Sequence, residues 1–334
     1  MALKKRKTYG IFLTVLLILG AVYGFGPRLP EREPDKKLPE IPVAIDEIAE
    51  YVRDREARMP VKPGNEGVIQ WGDSVGRPTE YVLLYLHGFT ASRFEGEPIT
   101  TDFVREFRVN AYFPRLAAHG LEDTEAMLEM TPARLYDSAK EALVIAHTLG
   151  QKVIVMGTST GCTLALMLAA DFPDLVDALI LYSPNIKIRN PMAFLLSGPW
   201  GLQITRAVHG GKYAVSADAP ESEDCKYWYC KYRLEAQVYL QQLLDMRMNR
   251  REFEKVHQPV FLGYYYKDEK HQDPTIDVRA ALKMFDELGT PATLKRAVAF
   301  PEAGVHVIAC GLSSKAIPAV RKQTFAFARQ VLGL

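Results

Sequence analysis

From residue 68 onward the chain alternates short, nearly unbroken apolar runs with longer stretches whose apolar positions recur every three or four residues. The runs at 68–71, 81–86, 109–113, 152–156, 178–182 and 259–266 have the length and content of strands buried on both faces. Residues 132–149 put Leu135, Ala139, Ala142, Leu143 and Ala146 on one helical face. Residues 161–170, 278–288 and 317–333 also read as helices, and 293–300 as a strand. Strands alternating with helices predict an α/β fold with a mostly parallel sheet covered on both faces. The alternation stops between 187 and 258, which hold a Gly-Pro turn, many aromatics and one long helix near 233–256. That stretch reads as an insertion over the sheet rather than a separate domain.

Ahead of residue 68 the pattern differs. Lys4-Lys5-Arg6-Lys7 precedes an uncharged run from Tyr9 to Phe25. At 17 residues the run is near the lower limit for crossing hydrocarbon. The small residues that a signal-peptidase site needs are poorly placed, since Ala21-Val22-Tyr23 ends in a bulky side chain. We read residues 1–26 as an uncleaved signal anchor, a single transmembrane helix, with a cleaved signal and a secreted body as the alternative. The compact basic cluster favours a cytoplasmic N-terminus and a body outside the cytoplasm. Residues 27–42 contain five prolines and predict an extended linker that lifts the body off the membrane. Ile45, Ile48, Ala49 and Val52 then mark an amphipathic helix over about 43–57, the start of a body that runs from 43 to 334.

Charge changes the picture little. The 334 residues carry 41 Lys+Arg and 40 Asp+Glu, and without residues 1–26 the balance is 37 to 40. No basic excess exists to neutralise phosphates, so no nucleic-acid partner is expected. Four cysteines are present. Cys162 and Cys310 sit in apolar surroundings, while Cys225 and Cys230 flank four residues of the insertion and leave a short-loop disulfide open. No metal-ligand spacing, phosphate loop or dinucleotide fingerprint occurs, so neither a metal nor a cofactor is expected.

The chemistry concentrates at Gly157-Thr158-Ser159-Thr160-Gly161, between the apolar run 152–156 and an Ala/Leu-rich helix. A strand–turn–helix around G-x-S-x-G is the context of a nucleophile elbow. His87-Gly88-Phe89-Thr90 follows the strand at 81–86 directly. An elbow enzyme takes one oxyanion N–H from that loop and one from the residue after the nucleophile, hence Phe89 and Thr160. His87 itself reads as a turn histidine. A serine needs a base, and the base a carboxylate, in the chain order Ser, acid, His. His306, after the strand at 293–300 and before the last helix, has the position of the base, which His257 and His271 lack. For the acid, Asp268 fits best, just past the Tyr-rich strand, and Asp273 is the alternative in the same loop.

Taken together these residues resemble the α/β-hydrolase family over about 68–334. The nearest likeness is to its monoacylglycerol lipase, carboxylesterase and serine aminopeptidase branch. The likeness rests on His87-Gly88-Phe89-Thr90, Phe113-Pro114-Arg115-Leu116 with His119-Gly120, the Ser159 elbow and the His306 segment. The sequence departs from that branch at Ala117-Ala118, where Pro-Gly is usual, and in the acid loop from Asp268 to Asp273. The resemblance implies that 187–258 is the cap that sets substrate choice. It also implies a serine hydrolase acting on small-molecule esters through Ser159, His306 and Asp268. A peptidase or acyltransferase with the same triad, and a non-catalytic binding protein on a hydrolase scaffold, stay open.

Overall fold

The computed structural model describes residues 13–334 apart from 19, 42, 124 and 217–221. Its strands are β1 (Val68–Gln70), β2 (Thr79–Leu86), β3 (Asn110–Phe113), β4 (Gly150–Thr158), β5 (Ala178–Tyr182), β6 (Tyr213–Val215), β7 (Lys231–Arg233), β8 (Val260–Tyr264) and β9 (Lys295–Ala299). Seven of them form one sheet in the order β1-β3-β2-β4-β5-β8-β9. Within this sheet, among the described residues, only the β1–β3 pairing is antiparallel.

The unbroken apolar runs are explained by this sheet. On β2, Val82, Leu84 and Leu86 enter one hydrophobic cluster, and Leu83 and Tyr85 the other. On β4, Val153 and Val155 face one way, and Ile154 and Met156 the opposite way. Successive side chains point to opposite faces, so a strand covered on both sides must be apolar throughout. One face is packed by the helices Pro132–Leu149, Thr160–Asp171 and Val278–Glu287. Helices Ile99–Phe107 and Ile317–Phe327 cover the other. Thr131 starts the longest of these, its hydroxyl accepting from the Arg134 N–H (3.3 Å) with Pro132 in the first turn.

The insertion is more divided than its sequence suggests. The expected long helix is two, Glu235–Arg247 and Arg250–Phe253. Asn249 separates them in an extended conformation and caps the second by accepting from the Glu252 N–H. A further helix, Gly201–His209, and the β6–β7 hairpin complete the cap. Cys225 and Cys230 form a disulfide with a Cα–Cα distance of 5.4 Å.

The N-terminal region departs from expectation in its linker. Residues 13–18 and 20–24 are helical, yet no helix among the described residues is long and apolar enough to cross a membrane. The basic cluster and residues 9–12 of the apolar run lie outside the described residues. The Pro-rich segment has no regular structure, as its prolines require, but it does not stand clear of the body. Lys140 is buried and donates to Asp35 Oδ1 (2.7 Å), Asp35 O (3.1 Å) and Lys37 O (2.8 Å). Lys36 pairs with Asp171 at 2.7 Å. Gln242 donates to Leu29 O, and Trp200 donates to Pro27 O and Val22 O. The segment is a strap across body and cap, because each element it crosses offers it a hydrogen-bond donor or an ion-pair partner.

Candidate active site

Ser159 sits where β4 turns into the helix Thr160–Asp171, with φ 55° and ψ −116°. This is sparsely populated backbone for a residue with a side chain, and such strain persists only where the surroundings enforce it. Four backbone bonds do so: Ser159 N–H donates to Tyr182 O (2.9 Å), and Ser159 O accepts from the N–H groups of Cys162, Thr163 and Asn185. The flanking glycines are steric requirements. A Cβ at Gly157 would lie 2.7 Å from the Gly161 carbonyl carbon, and one at Gly161 only 1.9 Å from Leu86 O.

His306 lies in the loop after β9, its backbone carbonyl held by the Ser183 hydroxyl (2.7 Å). Its Nδ1 bonds Asp273 Oδ2 at 2.7 Å, and its Nε2 has no hydrogen-bond partner among the described residues. Asp273 is fully buried, and its second oxygen accepts from the N–H groups of Thr275 (2.8 Å) and Ile276 (3.1 Å). Burial pushes this carboxyl up, but the facing imidazole and the two N–H donors outweigh it and leave it below its ordinary value. His306 moves the other way. Burial lowers it, while the charge and hydrogen bond of Asp273, with a smaller contribution from Glu95, hold it above the usual histidine value.

Asp268, the preferred acid of the sequence reading, is elsewhere. It is half exposed and closes its own loop, accepting from the Lys270 and His271 N–H groups (2.8 Å each) and from the His271 ring (2.9 Å). The reason is a small excursion that sequence distance does not reveal. Tyr266 bridges back to Gln272, and Lys267 N–H donates to His271 O, so 267–271 projects to solvent. The Asp273 N–H then donates to Tyr265 O, which returns Asp273 to the carboxyl edge of the sheet. His271 and His257 lie away from Ser159, the first on Asp268 and the second against Gly289 O.

Ser159, His306, Phe89 and Glu95 line one cavity of about 690 Å³. Cap residues Leu195, Leu196, Ile204, Val208 and Trp228 form much of its wall. Phe89 meets Tyr232 of β7 edge-on at 5.3 Å. Thr160 is the first residue of the elbow helix and is buried. His87 is buried, with Nε2 accepting from Leu116 N–H (3.1 Å). Burial holds it well below the histidine norm, so it is a neutral loop anchor. Glu95 gave no signal in the sequence, since an isolated glutamate in a polar loop carries no pattern. Among the described residues no cluster of His, Cys, Asp or Glu could hold a metal ion.

A family model described as "Alpha/beta hydrolase family" matches residues 83–313, from β2 through the His306 loop. The chain belongs to the alpha/beta hydrolase family. No curated protein matches the sequence of this alpha/beta hydrolase. Solved structures do match its fold. That reported for LipS and LipT, two metagenome-derived lipolytic enzymes, is 18% identical and covers 81% of this chain and 99% of its own, with a TM-score of 0.62. The monoacylglycerol lipase of Paleococcus ferrophilus is 12% identical over 78% of this chain and 98% of its own, with a TM-score of 0.54. Est1E from Butyrivibrio proteoclasticus, solved with ferulic acid, is 15% identical over 80% and 96%, with a TM-score of 0.53. As a member of this family, with lipase and esterase structural neighbours, the chain is a hydrolase.

Proposed function

We propose that this hydrolase is a serine carboxylic-ester hydrolase using Ser159, His306 and Asp273, with the Phe89 and Thr160 N–H groups as oxyanion donors. The observation that carries the reading is the His306–Asp273 bond at 2.7 Å, with His306 in the same cavity wall as a serine on a strained elbow. His306 Nε2 takes the Ser159 proton as Oγ attacks the acyl carbonyl. The developing oxyanion is held by the two N–H groups, and His306 returns the proton to the leaving alcohol oxygen. Water then attacks the acyl carbonyl as His306 takes its proton, and His306 returns that proton to Ser159 Oγ as the acyl–oxygen bond breaks and the acid leaves. The apolar cap wall suits an acyl chain, and solved relatives described as lipolytic support the choice of ester over amide. Residues 1–26 anchor the chain to a membrane and its body faces away from the cytoplasm. That placement is supported by the undiluted basic cluster and by a disulfide that an oxidising compartment would maintain.

A fluorophosphonate probe should label the protein at Ser159, and Ser159→Ala should abolish both labelling and p-nitrophenyl ester turnover. Full labelling of Ser159→Ala would place the nucleophile elsewhere.

A further inference from the structure

Glu95 is a carboxylate in the cavity wall, and the proposed reaction does not use it. It sits on the short turn Arg93–Gly96, is 2% exposed, and shares the cavity wall with Ser159 and His306. Its Oε2 accepts from the Gly88 N–H at 2.6 Å. Gly88 immediately precedes Phe89, so this bond fixes the peptide leading into the proposed oxyanion donor. The fit is close on all sides. A Cβ at Gly88 would lie 2.8 and 3.0 Å from the two Glu95 oxygens and 3.1 Å from Ser159 Cβ. Loop, carboxylate and nucleophile therefore pack with no room for a side chain between them.

We infer that Glu95 is a positioning residue for the ester hydrolysis proposed above: it holds the His87–Gly88 peptide and so sets the next N–H along the chain, that of Phe89, toward the scissile carbonyl, and it sets the charge felt by His306. The ionisable groups around it are the Tyr85 hydroxyl, whose other partner is Thr158 Oγ1 (3.0 Å), the Cys162 and Cys310 thiols, and the His306 ring. Burial raises the Glu95 carboxyl to about 7, with the Gly88 N–H, the His306 charge and the Tyr85 hydroxyl opposing it. Around His306 a second negative charge, beside that of Asp273, therefore appears near neutrality, and that charge favours protonated His306. Either protonation form of Glu95 keeps an oxygen free to accept from Gly88. Orientation and charge are thus separable by mutation.

The inference rests on the ester-hydrolase reading, so Ser159→Ala is the control: residual turnover in that variant would refute the triad, not the role of Glu95. With Ser159→Ala inactive, p-nitrophenyl butyrate hydrolysis is measured across pH for two variants. Glu95→Gln keeps the acceptor and removes the charge. It should hold kcat within about threefold at its optimum and move the acidic limb down by about half a pH unit or more. Glu95→Leu removes the acceptor as well, and should lower kcat by about 10- to 100-fold with little change in KM. An acidic limb unmoved in Glu95→Gln overturns the charge role, and a wild-type kcat in Glu95→Leu overturns the orienting role. If Glu95→Leu melts below the assay temperature, a boronic-acid inhibitor titrated against Glu95→Gln replaces it. Affinity within about threefold of wild type is expected, and a loss above tenfold would overturn orientation through the retained acceptor.

Discussion

Asp268 and Asp273 are five residues apart and chemically identical, and their surroundings separate them completely. One is spent on its own turn and on His271 at the surface, whereas the other is buried against His306. Asp273→Asn should therefore lower kcat by about 10³- to 10⁴-fold, because an amide neither fixes the tautomer nor stabilises the imidazolium. Asp268→Asn should stay within a few-fold of wild type in the same assay. The sign of the pH dependence follows from the same pair. His306 must be neutral to accept the serine proton, and Asp273 raises its proton affinity, so wild-type kcat/KM should rise with pH through a value above the histidine norm. Residual activity in Asp273→Asn should show that limb moved to lower pH. Ser159 and His306 were legible from local context and chain order. The acid was not, because which residue of a loop returns to the sheet is decided by a bridge between Tyr266 and Gln272 that has no signature in composition.

At the scale of elements, the central strands β2, β3, β4, β5 and β8 were legible because burial on both faces forces a continuous apolar run. The helix Ile99–Phe107 was not, as its two-sided pattern over nine residues is short and opens after Pro98. The cap was least legible, since it has no period of its own and takes its shape from what it covers. The disulfide segment illustrates this. Tyr229 N–H donates to Thr90 O (2.9 Å), Tyr227 stacks on Phe94 at 3.7 Å between centroids, and Lys226 O accepts from Asn65 (2.8 Å). The loop that carries Phe89 is thus pressed from above by the residues between Cys225 and Cys230. Opening that short loop frees those contacts without touching the triad. Cys225→Ser with Cys230→Ser should keep fluorophosphonate labelling, lower kcat several-fold, and increase backbone hydrogen exchange at 88–94, measured by mass spectrometry. Unchanged exchange would show that the loop holds itself.

For the whole molecule, the strap redefines where the folded unit begins. Sequence reading starts it at about residue 43, but Lys140 and Asp171 take partners from 35–37. Without 35–37 the buried Lys140 ammonium would keep only Asp137 Oδ1 (2.9 Å) of the acceptors named, and losing acceptors there is costly. Deleting residues 1–26 should release a soluble, active body. Deletion through residue 42 should lower its melting midpoint by several degrees, as followed by circular dichroism. Equal midpoints for the two truncations would mean that the strap contributes nothing.

The docking of the strap also changes what an anchor can do. A loose tether would let the body swing and sample the aqueous phase. Here the hydrogen bonds from Trp200 fasten the end of the apolar helix to the cap segment between Leu196 and Ile204, both of which wall the cavity. Met192 and Val208, also in that wall, are more than half exposed. Mounted in this way on a lipid leaflet, the enzyme would search for its ester in two dimensions. Its effective substrate concentration would be a mole fraction in the leaflet rather than a molarity in solution.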